Sequence, residues 1–198
     1  MMNTNEILSI LTFLREAERL KNVFRTSWTS GGQPESPASH TWRLCLLALV
    51  LEPDFPDLDF GKLLKLCVVH DLGEAIHGDI PAIHQVASAP KAEQERQDLL
   101  TLLTPLPDER KQAIVALWDE YEAAATPEAK VAKALDKLET MLQHNQGANP
   151  PDFDYAFNLG YARKFTDAVP LAAEIRKFID AETQQKADES KAKAERER

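Results

Sequence analysis

The stretch Val68-Val69-His70-Asp71-Leu72-Gly73-Glu74-Ala75-Ile76-His77-Gly78-Asp79-Ile80 decides how the chain is read. A mostly apolar run over 63–69 leads straight into His70-Asp71. A charged side chain is rarely buried beside such a core-forming run unless it is paired or bound to a metal. Glu74 follows at i+4 from His70 and i+3 from Asp71, so one helix would put all three on roughly one side. Gly78 is the predicted end of that helix, with Asp79 on the turn beyond it. On its own the stretch fits two readings equally: metal ligands with carboxylates nearby, or a helix end carrying solvated charges.

The flanking sequence is helical in pattern throughout. Asn3 and Glu6 make a capping-box-like start to a helix predicted to reach Lys21, with Ile7, Ile10, Leu11, Leu14 and Ala17 as its stripe. A connection follows over 25–33. Ser36 and Pro37 then open a second helix that carries His40, Leu44, Leu47, Ala48 and Leu51 and stops before Pro53. Asp59 caps the third helix, predicted to run through His70 to about His77, and a proline-bearing loop spans 80–90. Further helices are predicted over 91–103 and 108–124. Thr126-Pro127 repeats the cap-then-proline start for a helix ending at Gly147, with Val131, Ala134, Leu135 and Leu138 on its apolar side. After Asn149-Pro150-Pro151, one or two helices cover 155–181. From Lys186 the residues KADESKAKAERER carry no apolar stripe, so they form a solvated helix extension or a disordered tail. No segment alternates with period two. The expected fold is all-α, an irregular multi-helix bundle, with one domain over 1–183 and a charged tail over 184–198.

Composition narrows the function. Apolar residues make up 43% of the 198, enough for a sizeable core. The net charge of -9 and a pI near 5.1 argue against nucleic acid as a partner. An anionic substrate would need a local cation or metal to draw it in. No apolar stretch approaches the roughly 20 residues of a membrane span. The opening MMNTNEILSI lacks the basic segment of a secretory leader. Cys45 and Cys67 sit in apolar helical runs without a CxxC pattern, which reads as reduced thiols in a cytoplasmic protein. Trp42 and Trp118 are expected in the core. His84 and His144 are expected at the surface, and His77 more as a solvated helix end than as support for the site. Arg43 fits a carboxylate partner near the site and a plain surface role equally.

One helix cannot close a metal site. His40 and Asp136 are each, taken singly, more often structural than ligating. Together, the order His40, His70-Asp71, Asp136 on three separate predicted helices resembles the HD-domain metal-dependent phosphohydrolases. The segments LKNVFRTSW, PESPASHTWR, KLLKLCVVHDLGEAIHGDI, LWDEYEAAATPEAK and ALDKLETMLQHNQ are similar to the branch related to 5′-deoxynucleotidases. The likeness extends over about 20–147. It implies that His40, His70, Asp71 and Asp136 are the four metal ligands, that Glu74 and Asp79 are catalytic, and that Arg25 contacts the substrate phosphate. It also implies a homodimer. Two positions depart from the pattern. Ser39 stands where relatives often have a glutamate, and Thr26 stands where bacterial deoxynucleotidases have a tryptophan; Trp28, nearby, can supply an apolar wall.

Two imidazoles and two carboxylates suit one divalent ion, among Mn²⁺, Co²⁺, Ni²⁺, Zn²⁺, Fe²⁺ and Mg²⁺, rather than a soft thiolate metal. The expected activity is release of phosphate from (deoxy)nucleoside 5′-monophosphates, or another phosphomonoester, by a metal-activated water. Glu74 would orient that water or take its proton, and Arg25 would grip phosphate oxygens bidentately. Lys137, about 100° round the helix from Asp136, is expected at the surface or behind the ligands. A nucleotide-binding sensor or scaffold that keeps the metal without turnover is the alternative. The Glu74-Ala75-Ile76-His77 run also matches one half of a di-iron bundle motif, but no second half is present in the sequence.

Overall fold

Local capping sets most helix starts. The Asn3 side chain accepts the Glu6 N–H, and Glu6 returns a bond to the Asn3 N–H, opening α1 (Thr4–Ala17). Ser36 and Pro37 open α2 (Pro37–Leu51), and Asp59 opens α3 (Phe60–Val69) by accepting the Lys62 N–H at 2.9 Å. Then come α4 (Lys91–Leu102), α5 (Asp108–Ala123) and α6 (Pro127–Gln146), the last started by Thr126 and Pro127. Beyond the Asn149-Pro150-Pro151 break lie α7 (Tyr155–Gly160), α8 (Arg163–Thr166) and α9 (Pro170–Arg196). This computed structural model describes residues 2–79 and 91–196; the loop predicted over 80–90, with His84, lies outside them. Among the described residues there is no strand, only an isolated bridge between Trp28 and Pro34. The expected all-α bundle is what the chain forms. No described helix is long and apolar enough to cross a membrane.

α6 is the central element. It packs against α2, α3, α5, α8 and α9, and thirteen of its twenty residues are buried. Leu44 and Ala48 of α2, Leu63 and Leu66 of α3, and Leu135 and Leu138 of α6 form the middle of the main core. Each buried leucine there contributes roughly 1.5–3 kcal/mol. A second cluster, with Leu99, Leu103 and Trp118, joins α4 and α5 to the end of α3. Cys67 is buried and Cys45 packs beside it, both free thiols.

The structure corrects several expectations. α1 is α-helical only to Ala17 and tightens into a 3₁₀ turn over Glu18–Lys21. It touches the second cluster through Ile10 and Phe13, which leaves Ile7, Leu11 and Leu14 of the predicted stripe exposed. Trp42 is 67% exposed rather than in the core. It lies two residues from His40, about 200° round the helix, so it faces away from the buried row His40, Leu44, Ala48. Trp118 is buried as expected and donates its indole N–H to the His70 carbonyl at 3.0 Å. The segment over 155–181 is two short helices and the start of a long one, because Ala162 takes a left-handed conformation between α7 and α8. From Lys186 the chain continues α9 as a helix to Arg196.

Candidate metal centre and active site

The third helix ends at Val69, not near His77. His70 is its cap, Asp71 turns away at φ -97° and ψ 5°, and Leu72–Ala75 form a 3₁₀ turn. The turn packs closely on α4: a Cβ at Gly73 would lie 2.6 Å from the Glu95 carbonyl oxygen, so only glycine fits there. Gly78 then adopts φ +86°, a left-handed conformation that a side chain strains, and places Asp79 beyond it. Breaking the helix at this point aims His70, Asp71, Glu74 and Asp79 by a bent path rather than along one helical face.

The two histidines are held differently. His70 Nδ1 lies 2.7 Å from the Cys67 carbonyl, which can only accept, so the ring proton sits on Nδ1. Its Nε2 is then a bare acceptor, buried with no hydrogen-bond partner among the described residues and facing Asp71 Oδ1 at 3.1 Å. His40 differs, being held by carboxylates on both sides: Nδ1 bonds the Glu139 carboxylate and Nε2 bonds Asp136 Oδ1 at 3.1 Å. Burial and Arg25 both press the His40 pKa down, but Glu139 and Asp136 outweigh them and lift it to about 9. Ligand atoms of His40, His70 and Asp71 all lie within 4.8 Å of one another. Asp136 joins through its contact with His40. The bare His70 Nε2, the His40 Nε2 once its proton is displaced, and the carboxylate oxygens opposed to them in a buried space are the donor set of a divalent cation, and the residues present fit one. Glu35, His40 and Glu139 also converge, but both faces of His40 are already engaged there and Glu35 lies 3.5 Å from Arg25.

The carboxylates are tuned apart. Burial raises Asp71, yet His70, His40 and Arg25 outweigh it and hold this carboxyl well below its usual range. Asp136 is likewise held low, by Lys137 and the two histidines against burial. Its Oδ2 accepts the Tyr121 hydroxyl at 2.5 Å. Glu74 goes the other way: burial, then Asp71 and Asp79, raise its pKa well above normal despite Lys91. Glu74 Oε2 is buried without a hydrogen-bond partner among the described residues. Lys91 Nζ lies 3.5 Å from both Glu74 Oε1 and Asp79 Oδ1 and 3.1 Å from Glu95 Oε1. Arg25 enters on the segment before α2 and donates to Thr140 Oγ1 at 2.9 Å. Burial works against its charge, but Asp71, Glu139, Glu35 and Asp136 more than compensate. A cavity of about 370 Å³ is lined by Arg25, His70, Asp71, Glu74, Asp79 and Asp136, and the His40 ring lies 5.3 Å from that of His70.

An HD-domain model matches residues 17–176. The chain belongs to the HD-domain family. This HD-domain protein is 36% identical over 142 residues to the 5′-deoxynucleotidase HDDC2 of Danio rerio, covering 70% of this chain and 69% of that one. It is 32% identical over 193 residues to HDDC2 of Mus musculus, covering 94% and 93%, and 37% identical over 148 residues to a 5′-deoxynucleotidase of Schizosaccharomyces pombe, covering 72% and 74%. Its fold is similar to that of a predicted metal-dependent phosphohydrolase from Magnetospirillum magnetotacticum, with a TM-score of 0.68 at 24% identity over 96% and 97% of the two chains. By its family and these relatives it is a hydrolase, and its His40, His70 and Asp71 cluster fits a divalent metal.

The HD-domain protein also places at the cavity residues that sequence reasoning set aside. Lys137 takes one of its two expected places, behind a ligand, with Nζ 2.8 Å from Asp136 Oδ2, and it also lines the cavity. His144 is not a surface residue: it lines the cavity, bonded to Ser27 and Asn158. Lys91, Glu95 and Tyr121 were missed. Lys91 and Glu95 at i, i+4 gave a weak signal; Tyr121 gave none, since a tyrosine on an apolar stripe reads as core. Arg43 pairs with Glu139 at 2.6 Å, one of its two expected roles. His77 is mostly exposed and bonds Asp98 at 2.7 Å, away from the site.

Proposed function

We propose that this protein releases phosphate from (deoxy)nucleoside 5′-monophosphates. The observation that carries the proposal is the opposition of the His70 and His40 Nε2 atoms to the Asp71 and Asp136 carboxylate oxygens, beside a cavity that Arg25 also lines. The similarity to 5′-deoxynucleotidases over most of the chain supports the substrate class. His40, His70, Asp71 and Asp136 would hold one divalent ion per chain, of the Mn²⁺, Co²⁺, Ni²⁺, Zn²⁺, Fe²⁺ or Mg²⁺ type. Such an ion, when bound, lowers the pKa of a coordinated water to about 7 and so supplies the nucleophile.

The protein residues do the rest. Arg25, charged and held by Thr140, presents its planar fork to phosphate oxygens. Glu74 takes the proton of the attacking water at Oε2; its raised pKa makes it a stronger base than an ordinary carboxylate. Asp79 and Lys91 lie next to it, where Asp79 contacts the sugar or assists the leaving oxygen. The working form is a cytoplasmic homodimer, for which the exposed α2 row Trp42, Leu46, Leu49 and Val50 offers an apolar face. The domain spans 1–183, and 184–198 is its charged tail.

The test is phosphate release from a panel of deoxynucleoside 5′-monophosphates with Mn²⁺ or Co²⁺, with 3′-monophosphates as controls. Turnover confined to the 5′ series is expected. No turnover of any monophosphate with any of these metals would overturn the proposal and leave a metal-retaining nucleotide sensor.

A further inference from the structure

The cavity has two chemically different ends. One holds His70, Asp71, Glu74, Asp79 and Asp136. The other is built from the segment after α6, including Asp152 and Asp154, together with Trp28 and His144. Phe153 sets its ring 5.0 Å from that of His144, and the Phe157 and Tyr161 rings lie 5.7 Å apart. An aromatic wall facing a phosphate site is the chemistry that takes a planar heterocycle.

Its polar atoms are not fully used. His144 Nε2 lies 3.0 Å from Ser27 Oγ, and His144 Nδ1 lies 3.2 Å from Asn158 Oδ1. Burial, outweighing the Asn158 hydrogen bond, pulls the His144 pKa down to about 4, so the ring is neutral. A neutral ring donates once: Nδ1–H to Asn158 Oδ1, while Ser27 donates its hydroxyl to Nε2. This relay leaves Asn158 Nδ2 over. Asn158 is 1% exposed and lines the cavity, and its Nδ2 is buried with no partner among the described residues. An unsatisfied buried donor costs about 1–3 kcal/mol, a cost that a ligand acceptor removes. The backbone beneath is fixed, because Arg176 donates to the Asn158 carbonyl at 3.0 Å.

We propose that this end is the subsite for the substrate's nucleobase, walled by Phe153, Phe157 and Tyr161, with Asn158 as its reader. Asn158 donates from Nδ2 to an acceptor on the ring. Pyrimidine O2 and purine N3 occupy equivalent positions next to the glycosidic bond, so Asn158 recognises that a base is present rather than which base it is. This inference rests on the nucleotidase reading above.

The test compares kcat/KM for the four common deoxynucleoside 5′-monophosphates with kcat/KM for 2-deoxyribose 5-phosphate, which has no base. Because the readout is the ratio of the two, a general loss of folded enzyme cancels. Wild type is expected to favour every nucleotide over the base-free sugar phosphate. In Asn158→Ala and Asn158→Asp the ratio should fall roughly tenfold for all four, the worth of one good hydrogen bond. Asn158→Asp keeps an acceptor for His144 and loses the donor, while the charge it adds repels both anionic substrates and so largely cancels in the ratio. Phe153→Ala should lower the ratio by a similar or larger factor, since stacking of a base on an aromatic is worth about 1–3 kcal/mol. A wild-type ratio near one, or ratios unchanged in the variants, overturns the subsite and leaves the phosphatase reading standing. If nothing is hydrolysed, the nucleotidase reading itself fails and the subsite falls with it.

Discussion

Replacing Arg176 with methionine is expected to destabilise this protein more than almost any other single change outside the apolar core. Arg176 is 1% exposed. It donates to the Tyr161 carbonyl and Thr166 hydroxyl at 2.8 Å each, to the Asn158 carbonyl at 3.0 Å, and to Asp180 at 3.3 Å. Methionine keeps most of the volume and removes every donor. Breaking a buried ion pair by taking one partner costs about 3–5 kcal/mol. The stranded carbonyls add to that, although water entering the loosened α7–α8 turn recovers part. A net loss of about 3–5 kcal/mol corresponds to a fall in Tm of roughly 6–20 °C for a chain of this size. The assay is urea unfolding followed by far-ultraviolet circular dichroism, with amide hydrogen exchange over 155–166 to locate the loss. Exchange there should accelerate well before the rest of the chain unfolds. A loss below about 1 kcal/mol, with exchange unchanged over that segment, would refute the reasoning, because these bonds would then contribute no more than surface contacts.

Other outcomes follow from the site. Glu74→Ala should lower kcat by about 10²–10⁴ with bound metal retained, and wild-type kcat in that variant would move the proton-accepting role to Asp79. Arg25→Ala should raise KM for 5′-monophosphates, and Arg25→Lys should rescue it poorly because the planar fork is lost; full rescue by lysine would contradict the bidentate grip. Elemental analysis should find about one divalent ion per wild-type chain and none in His70→Ala, while Glu139→Gln should weaken metal affinity by roughly 10–100-fold in chelator competition; two ions per chain would overturn the mononuclear site. His144 has a folded pKa near 4 against about 6.5 unfolded, so the unfolded chain binds the extra proton. Its contribution, up to about 3 kcal/mol, is full above pH 6.5 and is lost as pH falls toward 4; His144→Gln should flatten that part of the stability profile, and an unaltered slope in acid would show that His144 is not buried neutral.

What the sequence disclosed was local. Asn3 with Glu6, Ser36 with Pro37, Asp59, and Thr126 with Pro127 mark helix starts because a cap bonds within three or four residues of itself. The His-Asp doublet and its distant partners were legible through family likeness, and the structure brings His40, His70 and Asp71 together. The close approach of the turn after α3 to α4 was hidden, since it involves Gly73 meeting a carbonyl twenty-two positions later. Lys137 was expected at the surface or behind the ligands, and its long stem brings it to the second of these, against Asp136. His144 and the wall over 150–161 had no sequence signal, because what orders them is Arg176 on α9, reaching back to a turn that composition alone reads as irregular.

α6 has a consequence for how this protein can diversify. Its buried residues alternate between the core, through Leu135, Leu138 and Met141, and the site, through Asp136, Glu139 and Thr140. A substitution on that helix therefore acts on folding and on chemistry at once, and few changes there would survive selection. The approaches to the cavity are freer: Thr26 and Trp28 on one side, and residues 150–161 on the other, contribute little to the main core. New substrate preferences would arise by altering these two margins while the helix between them stays fixed.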